Sequence, residues 1–407
     1  MKFTEFELND TLLDAVYYAN FDEATEIQAK AIPLILNGHD LIGCAQTGTG
    51  KTAAFVLPML NQLSENNTVG VKALILCPTR ELAIQIDRQV QGLAYFTNAV
   101  CKAVYGGGDG VAWDQERDAL EGGADVIIAT PGRLISHLER GYVKFETIQH
   151  LILDEADRML DIGFFDDIIK IIKTIPAERQ SLMFSATMAP KIRKLANEIL
   201  KEPLEVSVAV SKPAEGVLQE VYMAHEEQKI PLVKHLLSDK LEFSSIIVFC
   251  STKKKVSQLT RKLQKNKLNA QAISSDFEQK EREQTISDFR SGRTRILIAT
   301  DVMSRGIDIK GIDLVINFDV PTDAEDYVHR IGRTARANTK GMAITLISGD
   351  DMYRFVKIER LIERKLDKKQ PPTALGVGPL WSETRQAKTS NKRFGFKKKP
   401  SQSRKLS

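Results

Sequence analysis

The sequence predicts two α/β domains in tandem, each built on a parallel sheet, with a basic tail behind them. Three observations carry that expectation. Short runs rich in Ile, Val and Leu recur without polar alternation, as strands buried on both faces do, and such strands belong to parallel sheets. Segments of helical period lie between them, such as RELAIQIDRQVQGLAY (80–95) and KIRKLANEILK (191–201), and strands alternating with helices make α/β layers. The pattern then repeats. DVIIATPGR (125–133) is echoed by RILIATDVMSR (295–305), and ALILCPTREL (73–82) more loosely by IIVFCSTKKK (246–255).

In chain order the first set of apolar runs is DLIGC (40–44), VKALILC (71–77), DVIIA (125–129), HLIL (150–153) and SLMFS (181–185). The second is SSIIVFC (244–250), RILIA (295–299), DLVINF (313–318) and MAITLI (342–347). Between the sets, EVSVAVSKPAEG (205–216) carries Pro213 and Gly216 and lacks a helical period, so the connection is expected there. The expected organisation is a first domain over 1–208, a linker over 209–216, a second domain over 217–369 and a disordered tail over 370–407. The tail opens on PPT, Gly376, Gly378 and Pro379, then turns polar and charged, a composition that cannot bury a core.

The whole chain has 407 residues, a net charge of +4, and 43% hydrophobic and 27% charged residues, the composition of an ordinary globular protein. From Ser382 to Ser407 there are nine basic residues against Glu383, so that segment carries +8 and the rest sums to −4. Cys44, Cys77, Cys101 and Cys250 form no C-x-x-C pair and read as buried thiols in a reducing compartment. MKFTEFELND offers no apolar core of a signal peptide. No apolar run approaches the roughly 18 residues of a membrane span. A cytoplasmic protein is expected.

AQTGTGKT (45–52) follows the first short strand and precedes a plausible helix. This is the P-loop arrangement, in which glycines let backbone N–H groups wrap phosphates at a helix N-terminus. Lys51 would reach the β- and γ-phosphates and Thr52 would hold Mg²⁺. The strict pattern wants Gly where Ala45 stands, while Gly48 and Gly50 supply the flexibility. A Gly/Thr turn that merely ends in Lys-Thr is the bland alternative, and the flanking strand and helix argue against it.

LILDEAD (151–157) ends an apolar strand in carboxylates. Acids solvated at a strand end are common. Downstream of a P-loop they read as its partners: Asp154 for Mg²⁺ and Glu155 to position or activate the attacking water. PTREL (78–82), TPGR (130–133), SAT (185–187) and ATD (299–301) each begin at or just past the end of a strand. That edge is where open α/β sheets bind ligands. HRIGRTAR (329–336) packs His329, Arg330, Arg333 and Arg336 into eight residues of the second domain. A solvated charged face is one reading. The other is an arginine finger, worth about 10³–10⁵ in rate, which would make hydrolysis depend on domain closure.

With these residues assembled, the chain resembles the DEAD-box RNA helicases of superfamily 2, in particular short bacterial members with a basic C-terminal tail. The resemblance runs from Phe3 to about Lys368. It implies two RecA-like (P-loop NTPase) domains with ATP and Mg²⁺ in the cleft between them and single-stranded RNA across both. Adenine would be read by Gln28, with Phe3, Phe21 and Thr25 around it. The phosphates would lie on Ala45, Gln46, Thr47, Gly48, Thr49, Gly50, Lys51 and Thr52, and Asp308 would reach the ribose. Thr52 and Asp154 would hold the metal. Lys51, Asp154, Glu155, Arg333 and Arg336 would be catalytic.

The resemblance also implies that Asp157 bonds to Ser185 and Thr187, coupling hydrolysis to strand separation together with His329 and Arg330. Pro78, Thr79, Arg80, Gly106, Gly107, Thr130, Pro131, Gly132 and Arg133 would hold the RNA backbone from the first domain. Gln279, Arg282 and Thr300 would continue that path in the second. Several positions depart from the family pattern. Asn20, Ala24 and Glu26 replace a Gly and two prolines in NFDEATEIQ (20–28). Met303 and Ser304 stand for two alanines, and Ala335 for a Gly. NKLN (266–269) falls short of a guanine signature.

The implied activity is RNA-stimulated ATP hydrolysis coupled to local, non-processive separation or remodelling of RNA. Backbone contacts predict little sequence preference, and RNA over DNA would rest on the 2′-OH. The alternatives are an RNA clamp or annealing factor without useful turnover, a DNA translocase and a P-loop kinase. The last leaves the second domain without a task. The tail, with Phe394 and Phe396 among its cations, reads either as a solubility appendage or as an RNA anchor.

Overall fold

The computed structural model describes residues 1–45, 48–64, 68–107, 110–208, 217–238, 242–273, 277, 279–300, 311–334 and 341–383, and not the side chains of 279 and 280. The first half builds a sheet from β1 (Leu41–Cys44), β2 (Ala73–Leu76), β3 (Cys101–Val104), β4 (Val126–Ala129), β5 (His150–Leu153), β6 (Gln180–Ser185) and β7 (Leu204–Ser207). Their spatial order is β3-β4-β2-β5-β6-β1-β7, with every pairing parallel.

Successive side chains of a strand point to opposite faces, and both faces here are covered. Ile75, Ile152 and Leu182 enter one core, under α1 (Asp10–Tyr18), α2 (Glu26–Leu36), α3 (Lys51–Ser64) and α4 (Arg80–Leu93). Leu74, Leu151 and Met183 enter the other, under α6 (Pro131–Leu138), α7 (Ala156–Ile162), α8 (Phe165–Ile172) and α9 (Pro190–Ile199). The remaining helix of this half, α5 (Gly110–Asp118), follows β3. Each fully buried Leu or Ile is worth about 1.5–3 kcal/mol. A run such as Leu74, Ile75 and Leu76, with no exposure at all, is therefore committed to the interior.

The second half repeats the design. Its strands are β8 (Leu218–Met223), β9 (Ile246–Phe249), β10 (Ala270–Ile273), β11 (Ile296–Ala299), β12 (Leu314–Asn317), β13 (Met342–Ile347) and β14 (Lys368–Lys369), in the order β10-β11-β9-β12-β13-β8-β14. Around them lie α10 (Glu226–Ser238), α11 (Lys253–Lys265), α12 (Gln279–Arg290), α13 (Ala324–Ile331) and α14 (Met352–Leu361). β4 and β11 hold equivalent places, as do β2 and β9. The two sequence echoes are thus the same strands of the same topology.

Leu204–Ser207 is β7 and pairs with β1, within the expected bounds of the first domain; residues 209–216 lie outside the described residues. One feature differs from the sequence expectation. Residues 370–383 pack onto the second half although their composition predicts disorder. Trp381 meets the Phe355 ring edge-on at 6.2 Å, Gln228 Nε2 donates to Leu375 O at 2.8 Å, and Gly378 N donates to Gln370 Oε1 at 2.9 Å. A single aromatic anchor and a few amide bonds hold a segment that composition alone would release. Residues 384–407, with most of the basic tail, lie outside the described residues. Among the described residues no helix is long and apolar enough to cross a membrane.

Candidate nucleotide cleft and RNA groove

β1 delivers the P-loop. Ala45 N donates to Ser185 O at 3.1 Å, Gly48 and Gly50 take φ of +88° and +92°, and α3 starts at Lys51. Gln46 and Thr47 lie outside the described residues. Glycine is favoured at position 50 by its positive φ, and a Cβ there would fall 2.5 Å from Gln28 Nε2 and push that amide aside. Gln28 itself ties two segments together. Its Nε2 donates to Gly50 O at 3.1 Å, while its Oε1 accepts the Thr25 N–H at 2.9 Å and so caps α2. Phe3 stacks on Phe21 with ring centroids 6.0 Å apart. Of the adenine-reading residues implied by the sequence, Gln28 and Thr25 therefore lie beside Gly50, with the Gln28 amide already engaged by backbone.

β5 delivers the carboxylates. Asp154 is 3% exposed, and its Oδ1 lies 4.0 Å from Lys51 Nζ. Burial pushes its carboxyl up to about 6, against the pull of the Lys51 ammonium and with the push of Glu155. Glu155 sits in the left-handed region with φ of 51°, a strained place for a non-glycine residue. That turn points the Glu155 N–H onto Asp154 Oδ1 at 2.9 Å and starts α7 at the next residue. Arg158 Nη1 stands 3.3 Å from Glu155 Oε2. Thr52 lies in the first turn of α3, next to Lys51.

A cleft of 440 Å³ joins the two halves. Lys51, Glu155, Asp157 and Thr187 line it from the first, and His329 and Arg333 from the second. The expected bonds from Asp157 to Ser185 and Thr187 are not made. Ser185 Oγ donates to Thr187 O at 2.8 Å and accepts the Thr187 N–H at 3.3 Å, so the hydroxyl is spent on its own loop. Asp157 instead accepts the Arg158 N–H at 3.0 Å.

HRIGRTAR is divided by the end of α13. His329 lies in its last turn and Arg333 just past its Gly332 cap, and both meet the cleft. Arg330 turns into the sheet: its Nη1 donates to Asn317 Oδ1 at 3.0 Å and to Asp319 O at 2.8 Å, and its guanidinium lies 5.0 Å from the Phe249 ring. It is an anchor of α13 rather than a cleft residue. Arg336 and Asp308 lie outside the described residues.

A second groove, of 480 Å³, gathers Pro78, Thr79, Arg80, Gly106, Thr130, Gly132 and Arg133, with Arg282 reaching in from the second half. Thr79 caps α4 through its Oγ1, which accepts the Leu82 N–H at 3.3 Å, and Pro131 opens α6. Gly107 has φ of +90°, and any Cβ there would collide with the Arg80 guanidinium, which lies over this loop. Arg282 Nη2 is 2.9 Å from Glu81 Oε1, an ion pair between the halves. Glu81, within PTREL, also lines the groove, as do Ser136 and Phe164, which carry no signal in the sequence beyond a helix face and an apolar residue. Gln279 starts α12. Thr300 follows β11, and it is not among the groove's lining residues.

Comparison with known proteins matches these two halves. The DEAD/DEAH box helicase model covers residues 25–195 and the helicase conserved C-terminal domain model covers residues 228–338. The ATP-dependent RNA helicase CshA of Listeria monocytogenes is 40% identical over 373 residues, spanning 91% of this chain and 71% of that protein. S. cerevisiae Dbp5 bound to RNA and ADP BeF3 superposes with a TM-score of 0.79 at 31% identity, covering 90% of this chain and 95% of that one. A variant of Dbp5 bound to nup159, gle1, ip6 and adp superposes with a TM-score of 0.63 at 30% identity, covering 90% and 96%. With Lys51 and Glu155 facing Arg333 across one cleft, and such likeness along 91% of its length, the chain belongs to the DEAD-box ATP-dependent RNA helicases.

Proposed function

We propose that ATP is hydrolysed in the cleft between the two halves while the RNA backbone lies in the groove, and that each cycle separates a short duplex locally and without processive travel. One observation carries this reading: the cleft takes Lys51 and Glu155 from one half and Arg333 from the other. Lys51 would hold the β- and γ-phosphates, Glu155 would orient and deprotonate the attacking water, and Arg333 would meet the charge that develops on the transferred phosphoryl group. Arg336 would serve as a second finger. Because Arg333 arrives only when the halves close, hydrolysis is tied to closure.

Asp154 and Thr52 fit a divalent cation. A carboxyl this buried, with only the Lys51 ammonium 4.0 Å away, is short of positive charge. Mg²⁺ bound there would neutralise phosphate charge. The chain's own contribution is to hold the triphosphate in line and to keep Asp154 beside the Lys51 ammonium.

The placement of the halves supports a closed state. Two Dbp5 complexes of nearly equal identity to this chain superpose with TM-scores of 0.79 and 0.63, and the higher value belongs to the complex with RNA and ADP BeF3. In the closed state Arg80, Arg133 and Arg282 line one groove, and they would neutralise phosphates of a single strand. ATP binding would then shift a population between open and closed forms. A clamp without turnover would have no use for Glu155 opposite Arg333. The free cysteines suit a reducing compartment, and we place the protein in the cytoplasm.

The test is steady-state ATP hydrolysis alone, with single-stranded RNA, and with single-stranded DNA of equal length, followed by displacement of a labelled strand from a short duplex. Stimulation by RNA and ATP-dependent displacement are expected. Equal stimulation by DNA would move the reading to a DNA translocase. Stimulated hydrolysis without displacement would move it to a clamp.

A further inference from the structure

We propose that Glu116 is a positioning residue for RNA binding, whose buried carboxylate locks the YGG loop and the TPGR helix into one phosphate-facing unit. This rests on the reading of the groove given above and adds to it a residue from outside the motifs. Glu116 is 4% exposed, although every other residue of α5 is half-buried or exposed. A buried charge needs partners, and Glu116 draws them from two separate segments. Its Oε1 accepts the Tyr105 N–H at 3.0 Å, one residue before Gly106. Its Oε2 accepts Arg133 Nε at 2.7 Å, has Arg133 Nη2 also at 2.7 Å, and lies 3.0 Å from His137 Nε2.

His137 is held in turn. It is fully buried, its ring stacks on Trp113 at 3.9 Å, and its Nδ1 contacts the Tyr142 hydroxyl. Burial lowers its pKa, so at neutral pH the ring is uncharged. Nε2–H then donates to Glu116 and Nδ1 accepts from Tyr142. The Arg133 guanidinium lies 4.2 Å from the same indole. Arg133 therefore enters the groove with its plane set by Glu116 on one side and Trp113 on another. An arginine frozen before its phosphate arrives loses less freedom on binding, and its Nε is already committed to Glu116. Because Glu116 also fixes Tyr105, the loop that carries Gly106 and Gly107 cannot drift relative to α6.

The discriminating variant is Glu116→Gln. A carboxamide keeps the volume but offers one acceptor and one donor. Turned either way, its NH₂ meets the Tyr105 N–H or the Arg133 and His137 donors. The RNA concentration for half-maximal ATPase stimulation is expected to rise at least tenfold, while kcat at saturating RNA falls less than threefold. In a Trp381→Phe background the emission of Trp113 reports the stack, and its RNA-dependent change should move to the same higher midpoint. Tyr142→Phe loosens His137 but leaves Arg133 on Glu116, so its RNA half-saturation should stay within twofold of wild type. If Glu116→Gln does not fold, Glu116→Asp takes its place, since the shorter acid cannot reach both segments.

A wild-type half-saturation in the folded Glu116 variant would overturn the proposal. So would an equal loss in Tyr142→Phe, which would make the effect a general loosening of α6. Absence of RNA stimulation in the wild type would instead overturn the groove reading itself.

Discussion

Lys51 and Lys229 stand at equivalent places in two sheets of one strand order and do opposite things. Each lies near the start of the helix that follows equivalent strands, β1 and β8, and each faces an aspartate just past the end of the strand two places away in the sheet, Asp154 after β5 or Asp319 after β12. In the first half the two charges are 4.0 Å apart, with Gly48 and Gly50 before the lysine. In the second half Lys229 Nζ sits 3.1 Å from Asp319, 3.4 Å from Asp351 and 2.7 Å from Glu226, and Lys255 adds a further ammonium at 2.5 Å from Asp319. Only Ala224 and His225 separate β8 from α10, and neither is a glycine. Burial raises Asp154 to about 6. Burial also works to raise Asp319, but Lys229 and Lys255 overrule it and hold that carboxyl at about 2. At the same sheet edge Asp154 has an ammonium 4.0 Å away, while Asp319 is held by two closer ones as a structural joint. The trio of Glu226, Asp319 and Asp351 has the spacing of a cation site, and its cations are the two lysines.

The largest effect should come from the bridge between the halves. Arg333→Ala is expected to cut RNA-stimulated hydrolysis by about 10³–10⁵-fold in single-turnover assays, with thermal stability kept. A loss below tenfold would place the finger elsewhere. The paired substitutions Lys51→Met and Lys229→Met divide the comparison directly. The first should abolish turnover and destabilise the first half less, because Lys51 and Asp154 are 4.0 Å apart rather than in contact. The second should leave the nucleotide site intact and destabilise the second half by roughly 3–5 kcal/mol, because Asp319 and Asp351 stay buried without it. Equal destabilisation by both in denaturant titrations would erase the distinction.

The pH dependence should have opposite signs at the two sites. A raised carboxyl costs stability once it ionises. Asp154 therefore imposes no penalty below about 4 and a full one, on the order of 2–3 kcal/mol, above its folded value of about 6. In metal-free protein Asp154→Asn should be stabilising at pH 7 and neutral at pH 4. Asp319, with its depressed carboxyl, contributes stability above about 4 that is lost as pH falls toward 2, so Asp319→Asn should flatten that acid limb. Chemical denaturation across pH checks both slopes. The smallest effect is Gly50→Ala. It adds a methyl at 2.5 Å from Gln28 and a strained φ, and should raise the KM for ATP several-fold.

Local chemistry was the legible part. AQTGTGKT and LILDEAD are contiguous, so spacing alone exposes them, and the central strands announce themselves because both faces are apolar. The edges are harder. β3 (CKAV) and β10 (AQAI) each lie at one side of a sheet, carry polar side chains on a half-covered surface and show no clear run. Charges that meet only in three dimensions leave no trace in sequence. Lys229 and Asp319 are 90 residues apart, and Glu116 is one acid in a polar stretch. The split of HRIGRTAR was not legible, because Arg330 is drawn inward by Asn317 and Asp319 from another element while Arg333 lies past the end of α13.

β1 is synthesised first but is not an edge. It lies between β6 and β7, and Leu41 finds its partner Leu182 only after another 141 residues. At the pace of translation that is roughly ten to thirty seconds. For that interval the nascent chain carries an apolar strand and the phosphate loop behind it with no sheet to join. Residues 41–44 complete their ladder only when β6 and then β7 have emerged, so the first sheet closes late in its own synthesis.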